Sequence, residues 1–266
     1  MWNDVLIAAA VVAAISVLLG VLLALFIKFF GVEEDEKVKN IREALPGANC
    51  GACGFKGCAD YAEAIAKGEG APNLCVPGGS ATAKALERIL GVEVKASGAK
   101  VAFVRCNGVP SATSKKADYR GIGTCKACSM MYGGDGACAY GCLGCGDCAA
   151  ACPTGAICLE DGVARVIEDR CIGCGACARA CPKKIIIAAP AEATTFVACS
   201  NKDKGADARK ACKNACIACR KCEKICPEGA ITVEGNLASI DYTKCTGCGA
   251  CVEGCPTGAI KSIKQS

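Results

Sequence analysis

Residues 142–153 read CLGCGDCAAACP, a run in which four cysteines follow the spacing C-x2-C-x2-C-x3-C and a proline closes the run. The same pattern begins again at Cys171, Cys216 and Cys245. The four runs contain 16 of the 27 cysteines in this chain of 266 residues. Four copies of one spacing are far beyond chance, so they indicate a repeated unit whose cysteines act as ligands.

Three thiolates spaced two residues apart on a short loop can hold three corners of an iron–sulfur cubane, and this spacing is the ligand pattern of bacterial ferredoxins. In two-cluster ferredoxins the last cysteine of each run binds the other cluster, so the runs must occur in pairs. They do so here, because Cys171 follows Cys142 by 29 residues and Cys245 follows Cys216 by the same distance. The two pairs are offset by 74 residues and predict two tandem ferredoxin-like modules.

Exchange of the last cysteine within each pair predicts four [4Fe–4S] clusters. Their ligands, called the first to fourth sets, are Cys142, Cys145, Cys148 with Cys181; Cys171, Cys174, Cys177 with Cys152; Cys216, Cys219, Cys222 with Cys255; and Cys245, Cys248, Cys251 with Cys226. Cys138 and Cys212 each lie four residues before a run, so either is an alternative to a ligand such as Cys145 or Cys219. We therefore keep Cys138 among the candidate ligands.

A different set, called the N-terminal set, consists of Cys50, Cys53, Cys58 and Cys75 with the spacing C-x2-C-x4-C-x16-C. Four thiolates without a histidine match the ligands of a fifth cubane. Structural zinc is the alternative for this set, but zinc sites often include histidine and this chain has none. Disulfide scaffolds are small secreted domains, which does not fit a chain of this length.

An apolar run of 23 residues without a charge, residues 5–27, is long enough to span a bilayer as one helix. A cleaved signal peptide is disfavoured because no positive residue precedes the run and no small-residue cleavage site precedes Lys28. Lys28, Lys37, Lys39 and Arg42 follow the run. By the positive-inside rule we expect a single-pass anchor with the remaining chain on the cytoplasmic side of a prokaryotic membrane.

Seven cysteines lie outside the five ligand sets, and most are expected to be small buried hydrophobic residues. They are Cys106, Cys125, Cys128, Cys138, Cys158, Cys199 and Cys212. A sixth metal site built from Cys106, Cys125, Cys128 and Cys138 stays open. The stretch VAFVRC (residues 101–106) reads as a buried strand, and TTFVAC (residues 194–199) repeats it.

Together these features resemble the B subunit of the Rnf complex, the membrane-bound ferredoxin:NAD oxidoreductase of bacteria and archaea. The resemblance covers essentially the whole chain. It rests on the N-terminal span, NCGACGFKGC (49–58) with CVPGG (75–79), CAYGCLGCGDC (138–148) and the ferredoxin repeats. It implies a [4Fe–4S] cluster on the N-terminal set, and electrons supplied by soluble ferredoxin. In many relatives the position of Cys145 is apolar and that of Cys138 is cysteine, so both stay candidates for the first cluster.

The expected function is that of an electron wire, with five clusters and a sixth left open. Electrons are expected to enter at the distal ferredoxin repeats and to leave near the membrane through the N-terminal set. The chain has no P-loop, no dinucleotide-binding glycine motif and no proton-relay residue in its span. No complete active site is therefore expected on this chain alone, and the flavin, NAD and ion sites implied by the resemblance are assigned to membrane and peripheral partner subunits.

Two other functions stay open from the residues. One is a membrane-anchored polyferredoxin of another redox complex, such as a hydrogenase, and the other is a zinc-binding interaction scaffold. The formal charge of +5 excludes the clusters, which are negative with their thiolates. Nucleic-acid binding is disfavoured, because aromatic residues that would stack on bases make up only 5% of the chain.

We expect an α+β fold that depends on its metal. Its predicted parts are a transmembrane anchor (1–31), a small all-cysteine 4Fe–4S domain (32–92), a linker with a strand (93–135), and two ferredoxin-like modules (136–190 and 191–266). The two module ranges are called the first and second repeats below.

Overall fold

The computed structural model describes residues 2–30, 35–96 and 98–263, and it confirms the expected mixture of helices and strands. The helices are α1 (Trp2–Phe30), α2 (Glu36–Ala44), α3 (Cys58–Lys67), α4 (Gly79–Leu90), α5 (Cys125–Met130), α6 (Asp147–Ala150), α7 (Ala176–Ala180), α8 (Gly205–Ala211), α9 (Lys221–Ile225) and α10 (Ala250–Glu253), with one 3-10 turn at Glu168–Arg170. The strands are β1 (Lys100–Val104), β2 (Ile157–Glu160), β3 (Val163–Val166), β4 (Ile186–Pro190), β5 (Thr195–Val197), β6 (Ile231–Glu234), β7 (Leu237–Ile240) and β8 (Ile260–Ser262).

Helix α1 contains an apolar segment, Val5–Phe26, of 22 residues with a mean hydropathy of 2.9. No residue of this segment is buried against the rest of the protein. The hydroxyl of Ser16 donates to the carbonyl of Val12 at 2.9 Å, so this polar group is satisfied inside the helix. The segment is long and apolar enough to cross a bilayer.

Helices α2, α3 and α4 pack around a small apolar core in which Ile41, Tyr61 and Leu86 are at most 1% exposed. Asp35 begins α2 by accepting a hydrogen bond from the amide of Lys37 at 2.9 Å. Gly68 ends α3 in the left-handed conformation that such a helix end favours. The cysteines of this unit lie at the edge of the core rather than within it.

The described residues after α4 contain four antiparallel sheets, each of two strands. Hairpin β2–β3 follows α6 in the first repeat, and hairpin β6–β7 follows α9 in the second. Strand β4 ends the first repeat by pairing with β1, and β8 pairs with β5 in the same way. Because a single two-stranded sheet is marginal in water, these elements depend on what they pack against.

Strands β1 and β5 also bring the two repeats together. The rings of Phe103 and Phe196 stack with their centroids 5.1 Å apart. Val101 and Ile263 are buried in the same apolar cluster. The strand that the sequence assigns to the linker, β1, therefore packs as part of the first repeat, and its end lies near the end of β5.

Candidate metal centres

The N-terminal set lies on the loops that flank α3. The amide of Cys58, at the start of α3, donates to Oδ1 of Asn49 at 2.8 Å, which holds the first loop against the helix. The hydroxyl of Tyr61 donates to the carbonyl of Ala71 and accepts from the amide of Leu74, which fixes the loop that carries Cys75. Burial raises the pKa of the Cys75 thiol on this loop.

The thiols of this set lie close enough to influence one another. Cys58, Cys50 and Cys53 all add to the rise in the pKa of the Cys75 thiol that burial begins. Four thiolates in mutual repulsion need a positive centre between them, which iron supplies in a cubane. The structure therefore brings together the four cysteines that the spacing predicts.

The third and fourth sets each line one cavity in the second repeat. Cys216, Cys219, Cys222 and Cys255 surround a space of about 330 Å³. Cys226, Cys245, Cys248 and Cys251 surround a space of about 320 Å³. Both groups match the exchange of the last cysteine between paired runs, which is the arrangement of two-cluster ferredoxins.

The second set also comes together, around Cys177 in α7. Burial raises the pKa of the Cys177 thiol to about 11, and the nearby Cys171, Cys174 and Cys152 add to the shift. The backbone amide of Ala102 in β1 points at Cys171, with its nitrogen 3.5 Å from the sulfur. Strand β1 thus supplies a hydrogen bond to a candidate ligand.

Three of the four cysteines predicted for the first set line its cavity. Its cavity, about 330 Å³, is lined by Cys142, Cys148 and Cys181, and the fourth cysteine there is Cys125. Burial raises the pKa of Cys148 to about 12, and the neighbours that add to the shift are Cys142, Cys125 and Cys181. Cys145, the predicted ligand, does not line this cavity.

Asp147 explains how Cys125 reaches the first cavity. Its carboxylate accepts hydrogen bonds from the amides of Cys125 at 2.8 Å and Lys126 at 3.0 Å, the first two residues of α5. The short helix is therefore held against the run that contains Asp147. Burial raises the pKa of Cys145 to about 12, with Cys125 and Cys128 adding to the shift, so Cys145 lies near these two thiols but outside the cavity lining.

The remaining cysteines have three kinds of surroundings. Cys128 of α5 is buried, and its thiol lies 3.8 Å from Oδ1 of Asp135. Cys106, Cys138, Cys199 and Cys212 line one further cavity between the repeats together with Cys142 of the first set, and we call these four the inter-repeat set. The open sixth site of the sequence analysis is thus divided, because Cys125 lies in the first cavity while Cys106 and Cys138 lie here. Cys158 is on β2, where its thiol contacts Glu160 at 3.4 Å.

The tails of three runs are built to stabilise thiolates. The amide four residues after the last cysteine donates to its sulfur at 3.3 Å in Cys152, Cys226 and Cys255. Burial acts to raise the pKa of Cys152 and of Cys255, but hydrogen bonds from the following threonine and backbone amides lower it overall in both. Since metal ligands must be deprotonated, these bonds fit the predicted role.

Two buried donors lack a partner among the described residues, and both lie at cysteine cavities. They are Oγ1 of Thr195, beside the fourth set, and Nε of Arg105, beside the inter-repeat set. The Thr195 hydroxyl lies beside the Cys251 thiol and acts to lower its pKa. Leaving a buried donor such as Nε of Arg105 unpaired is costly, so its position fits an anionic group in the neighbouring cavity. Among the described residues, no group of three Cys, Asp or Glu side chains is arranged to hold a single metal ion.

Arg179 joins the first repeat to the N-terminal unit. One guanidinium nitrogen donates to the carbonyl of Cys174, in the second set, at 3.2 Å. The other donates to the carbonyl of Cys50, in the N-terminal set, at 2.7 Å. A single side chain therefore ties together the backbones of two candidate cluster sites.

Known families match the same regions. An Fe–S cluster model matches residues 45–77, and a 4Fe–4S dicluster domain model matches residues 141–185 and 215–259. A second 4Fe–4S dicluster model matches residues 170–230, across the boundary between the repeats.

Curated relatives align with most of the chain. The B subunit of the Na⁺-translocating ferredoxin:NAD⁺ oxidoreductase complex of Acetobacterium woodii is 42% identical over 92% of this chain and 74% of its own length. The B subunit of the proton-translocating complex of Clostridium ljungdahlii is 44% identical over 91% of this chain and 86% of its own. The B subunit of the ion-translocating oxidoreductase complex of Methanosarcina acetivorans is 43% identical over 89% and 90%.

The chain belongs to the family of Rnf B subunits. The family and the 4Fe–4S domains make it an iron–sulfur electron-transfer subunit of an oxidoreductase complex, as the sequence predicts. Its apolar helix α1 and its relatives indicate association with a membrane. The names of the Rnf relatives differ in the ion, sodium in one and protons in another.

Proposed function

We propose that the chain accepts electrons from reduced ferredoxin and passes them to flavin- and NAD-binding partner subunits of an ion-pumping Rnf complex. The observation that carries this proposal is the joining of the second and N-terminal sets by Arg179. It gives the ferredoxin repeats a direct path to the unit that follows the apolar helix. When bound, [4Fe–4S] clusters supply one-electron carriers, and the residues of this chain hold them in sequence.

The proposed ligand sets are the N-terminal set and the second, third and fourth sets as predicted. For the first cluster we propose Cys142, Cys148, Cys181 and Cys125, because these four line its cavity. Cys145 lies next to Cys125 and is the alternative fourth ligand. The two repeats then act as tandem two-cluster modules, each exchanging its last cysteines.

Ferredoxin would dock on the second repeat. Five basic residues lie exposed on and around α8: Lys202, Lys204, Arg209, Lys210 and Lys213. They surround Cys212 in the sequence and precede the third set. A cluster of one charge sign raises the association rate of an oppositely charged partner, and this effect weakens as salt screens it.

Helix α1 would anchor the chain in a lipid bilayer as a single span. The positive residues Lys37, Lys39 and Arg42 lie on and near α2, just after the span, which supports a cytoplasmic position for the iron–sulfur domains. Thiols stay reduced in that compartment, as cluster assembly requires. Trypsin accessibility in right-side-out and inverted membrane vesicles tests the orientation.

The docking proposal is tested by mixing reduced ferredoxin with the anaerobic full chain in detergent and following the bleaching of its visible absorbance by stopped flow. Changing Lys202, Lys204 and Lys210 to Glu should slow bleaching about tenfold at low salt, with the difference disappearing at high salt. A matched control changes three exposed basic residues of the N-terminal unit, Lys84, Arg88 and Lys95, to Glu. Equal slowing by both triple variants would place docking elsewhere.

The proposal that electrons leave the chain through the N-terminal set is tested in the assembled complex. A Cys50→Ala, Cys53→Ala variant should still be bleached by reduced ferredoxin but should not support NAD reduction. If it supports NAD reduction at the unaltered rate, the proposed path is wrong. A colourless protein that contains zinc without sulfide would instead favour the scaffold, and co-purification with a hydrogenase would favour the other redox complex.

A further inference from the structure

The inter-repeat cavity is the largest of the four cysteine-lined cavities. The space between its lining residues, part of which is open to solvent, is about 460 Å³, compared with about 320–330 Å³ for the cavities of the first, third and fourth sets. The inter-repeat cavity therefore has room for a cluster as large as those proposed for the first, third and fourth sets. Five cysteines line it, Cys142 of the first set and the four of the inter-repeat set, of which Cys106, Cys199 and Cys212 are buried.

The two repeats contribute to this cavity in the same way. Cys106 follows β1 and Cys199 follows β5, the two strands that pair with the last strand of their repeats. Cys138 and Cys212 each lie four residues before the first cysteine of a run. Each repeat thus supplies one cysteine that follows a strand and one that lies four residues before a run. The four thiols therefore form two equivalent pairs, Cys106 with Cys138 and Cys199 with Cys212.

The hydrogen bonds to the strand-end cysteines are equivalent as well. The amide of Cys142 donates to Sγ of Cys106 at 3.3 Å, and the amide of Cys216 donates to Sγ of Cys199 at 3.3 Å. The amide of Gly108 adds a second bond to Cys106 at 3.4 Å. Amides aimed at sulfur are the surroundings that the predicted ligands Cys152, Cys226 and Cys255 also have.

A buried amide side chain donates a hydrogen bond to Cys138. Asn201 is 1% exposed, and its Nδ2 lies 3.5 Å from Sγ of Cys138. Its Oδ1 accepts from the amide of Asp203 at 2.7 Å, which fixes the orientation of the side chain. A polar group this deeply buried is costly unless it has a partner, and a thiolate is a stronger acceptor than a thiol.

Arg105 adds a positive charge to the cavity wall. Its Nε is buried and has no hydrogen-bond partner among the described residues. Burial lowers the pKa of Arg105, while the nearby Cys199 acts in the opposite direction. A guanidinium donor left unpaired beside four cysteines fits a negatively charged group in the space between them.

We propose that Cys106, Cys138, Cys199 and Cys212 hold a sixth [4Fe–4S] cluster between the two repeats. Four thiolates match the ligand requirement of a cubane. The proposed site contacts the first set through Cys142 and the third set through Cys216.

The position of the site gives it a role that rests on the proposed function. It lies between the third and first sets, so it would connect the second repeat to the first. The gain of one electron there equals the loss of one electron by the neighbouring reduced cluster, and no proton or bond is exchanged. The inter-repeat set would then complete a row that continues through the first and second sets to the N-terminal set.

The test is the content of iron and acid-labile sulfide in the full chain, purified anaerobically in detergent. We expect about 24 iron per chain, since six cubanes of four iron each are present. A Cys199→Ala, Cys212→Ala variant should lose about four iron and four sulfide while the EPR signals of the other reduced clusters persist. The control is Cys158→Ala, which removes a cysteine outside every set and should lose none.

A wild-type content of about 20 iron, or an unchanged content in the double variant, would overturn the proposal. If the double variant does not fold, the wild-type count still decides between five and six clusters. Asn201→Leu gives an independent readout, because loss of the bond to Cys138 should lower the midpoint potential of one cluster without loss of iron. A failure of ferredoxin to reduce the chain would contradict the proposed function but would leave the iron count intact.

Discussion

The two repeats share one plan, but they complete their first cavities differently. In the second repeat, the cavity of the third set is lined by Cys219 and the three other predicted thiols. In the first repeat, the equivalent position in the cavity lining is taken by Cys125 of α5, whereas α8, the helix between Cys199 and Cys212 in the second repeat, carries no cysteine. Cys145 does not line this cavity. The spacing of a run thus predicts three of the thiols that line the cavity, whereas the fourth thiol can come from an inserted segment.

The insertion can be located between equivalent cysteines. Cys138 follows Cys106 by 32 residues, whereas Cys212 follows Cys199 by 13. The longer segment contains α5 and is held by Asp147, at the position where the second repeat has Lys221. A lysine cannot accept hydrogen bonds from amides, so the second repeat has no equivalent anchor.

The largest expected difference between the repeats is in iron content. Cys219→Ala should lose about four iron, because no other thiol lines the cavity of the third set. Cys145→Ala should lose almost none, because Cys125 completes the first set. Cys125→Ala should lose about four, as Cys219→Ala does. Iron and sulfide analysis of the three variants, prepared anaerobically, makes the measurement.

Two outcomes would change this picture. If Cys145→Ala loses as much iron as Cys219→Ala, the first repeat uses its run as the second does. If only the double variant Cys125→Ala, Cys145→Ala loses iron, the two thiols are interchangeable ligands. Cys158→Ala serves as the shared control, because it changes the number of cysteines but not any ligand set.

The spacing of the runs predicted most of this arrangement. It predicted the pairing of Cys152 with the second set, and the structure brings that cysteine beside Cys177. The N-terminal set was also predicted from spacing, and its four thiols lie together. These features are local or follow a repeat, so they can be read along the chain.

Cys125 and the inter-repeat set could not be predicted in the same way. Cys106 and Cys199 are 93 residues apart, and they line one cavity only in the folded chain, where Phe103 of β1 stacks on Phe196 of β5. Two sequence features indicated that these cysteines are equivalent: TTFVAC repeats VAFVRC, and Cys138 and Cys212 each lie four residues before a run. These features did not show that the pair from the first repeat and the pair from the second repeat line the same cavity.

The glycines of the first run give the second prediction. Gly144 has φ of 71°, and a Cβ there would lie 2.6 Å from the carbonyl oxygen of Gly162 in the β2–β3 turn. Gly144→Ala should therefore destabilise the first repeat by roughly 2–4 kcal/mol, from left-handed strain together with the backbone clash. The measurement is the urea midpoint of the anaerobic protein, followed by hydrogen exchange in β2 and β3.

The control for the clash is Gly155→Ala. Gly155 has φ of 60° but no atom within 4 Å of an added Cβ, so this variant should cost only about 1–2 kcal/mol. Equal costs for the two variants would mean that the turn at Gly162 moves aside. The equivalent position of the second repeat, Ala218, already carries a Cβ, so its hairpin turn must leave more space.

The smallest expected effect is a gain of stability at Ala218. Its φ of 54° lies in the left-handed region, where alanine is strained and glycine is not. Ala218→Gly should raise stability by about 0.5 kcal/mol, because relief of about 1–2 kcal/mol of strain exceeds the loss of one partly buried methyl group and the added freedom of the unfolded chain. Ala206→Gly, at an exposed helical position in α8, should lower stability instead, by about 0.5–1 kcal/mol. Opposite shifts of the urea midpoint would establish that the third run keeps a strained loop where the first run has glycine, and shifts of the same sign would refute it.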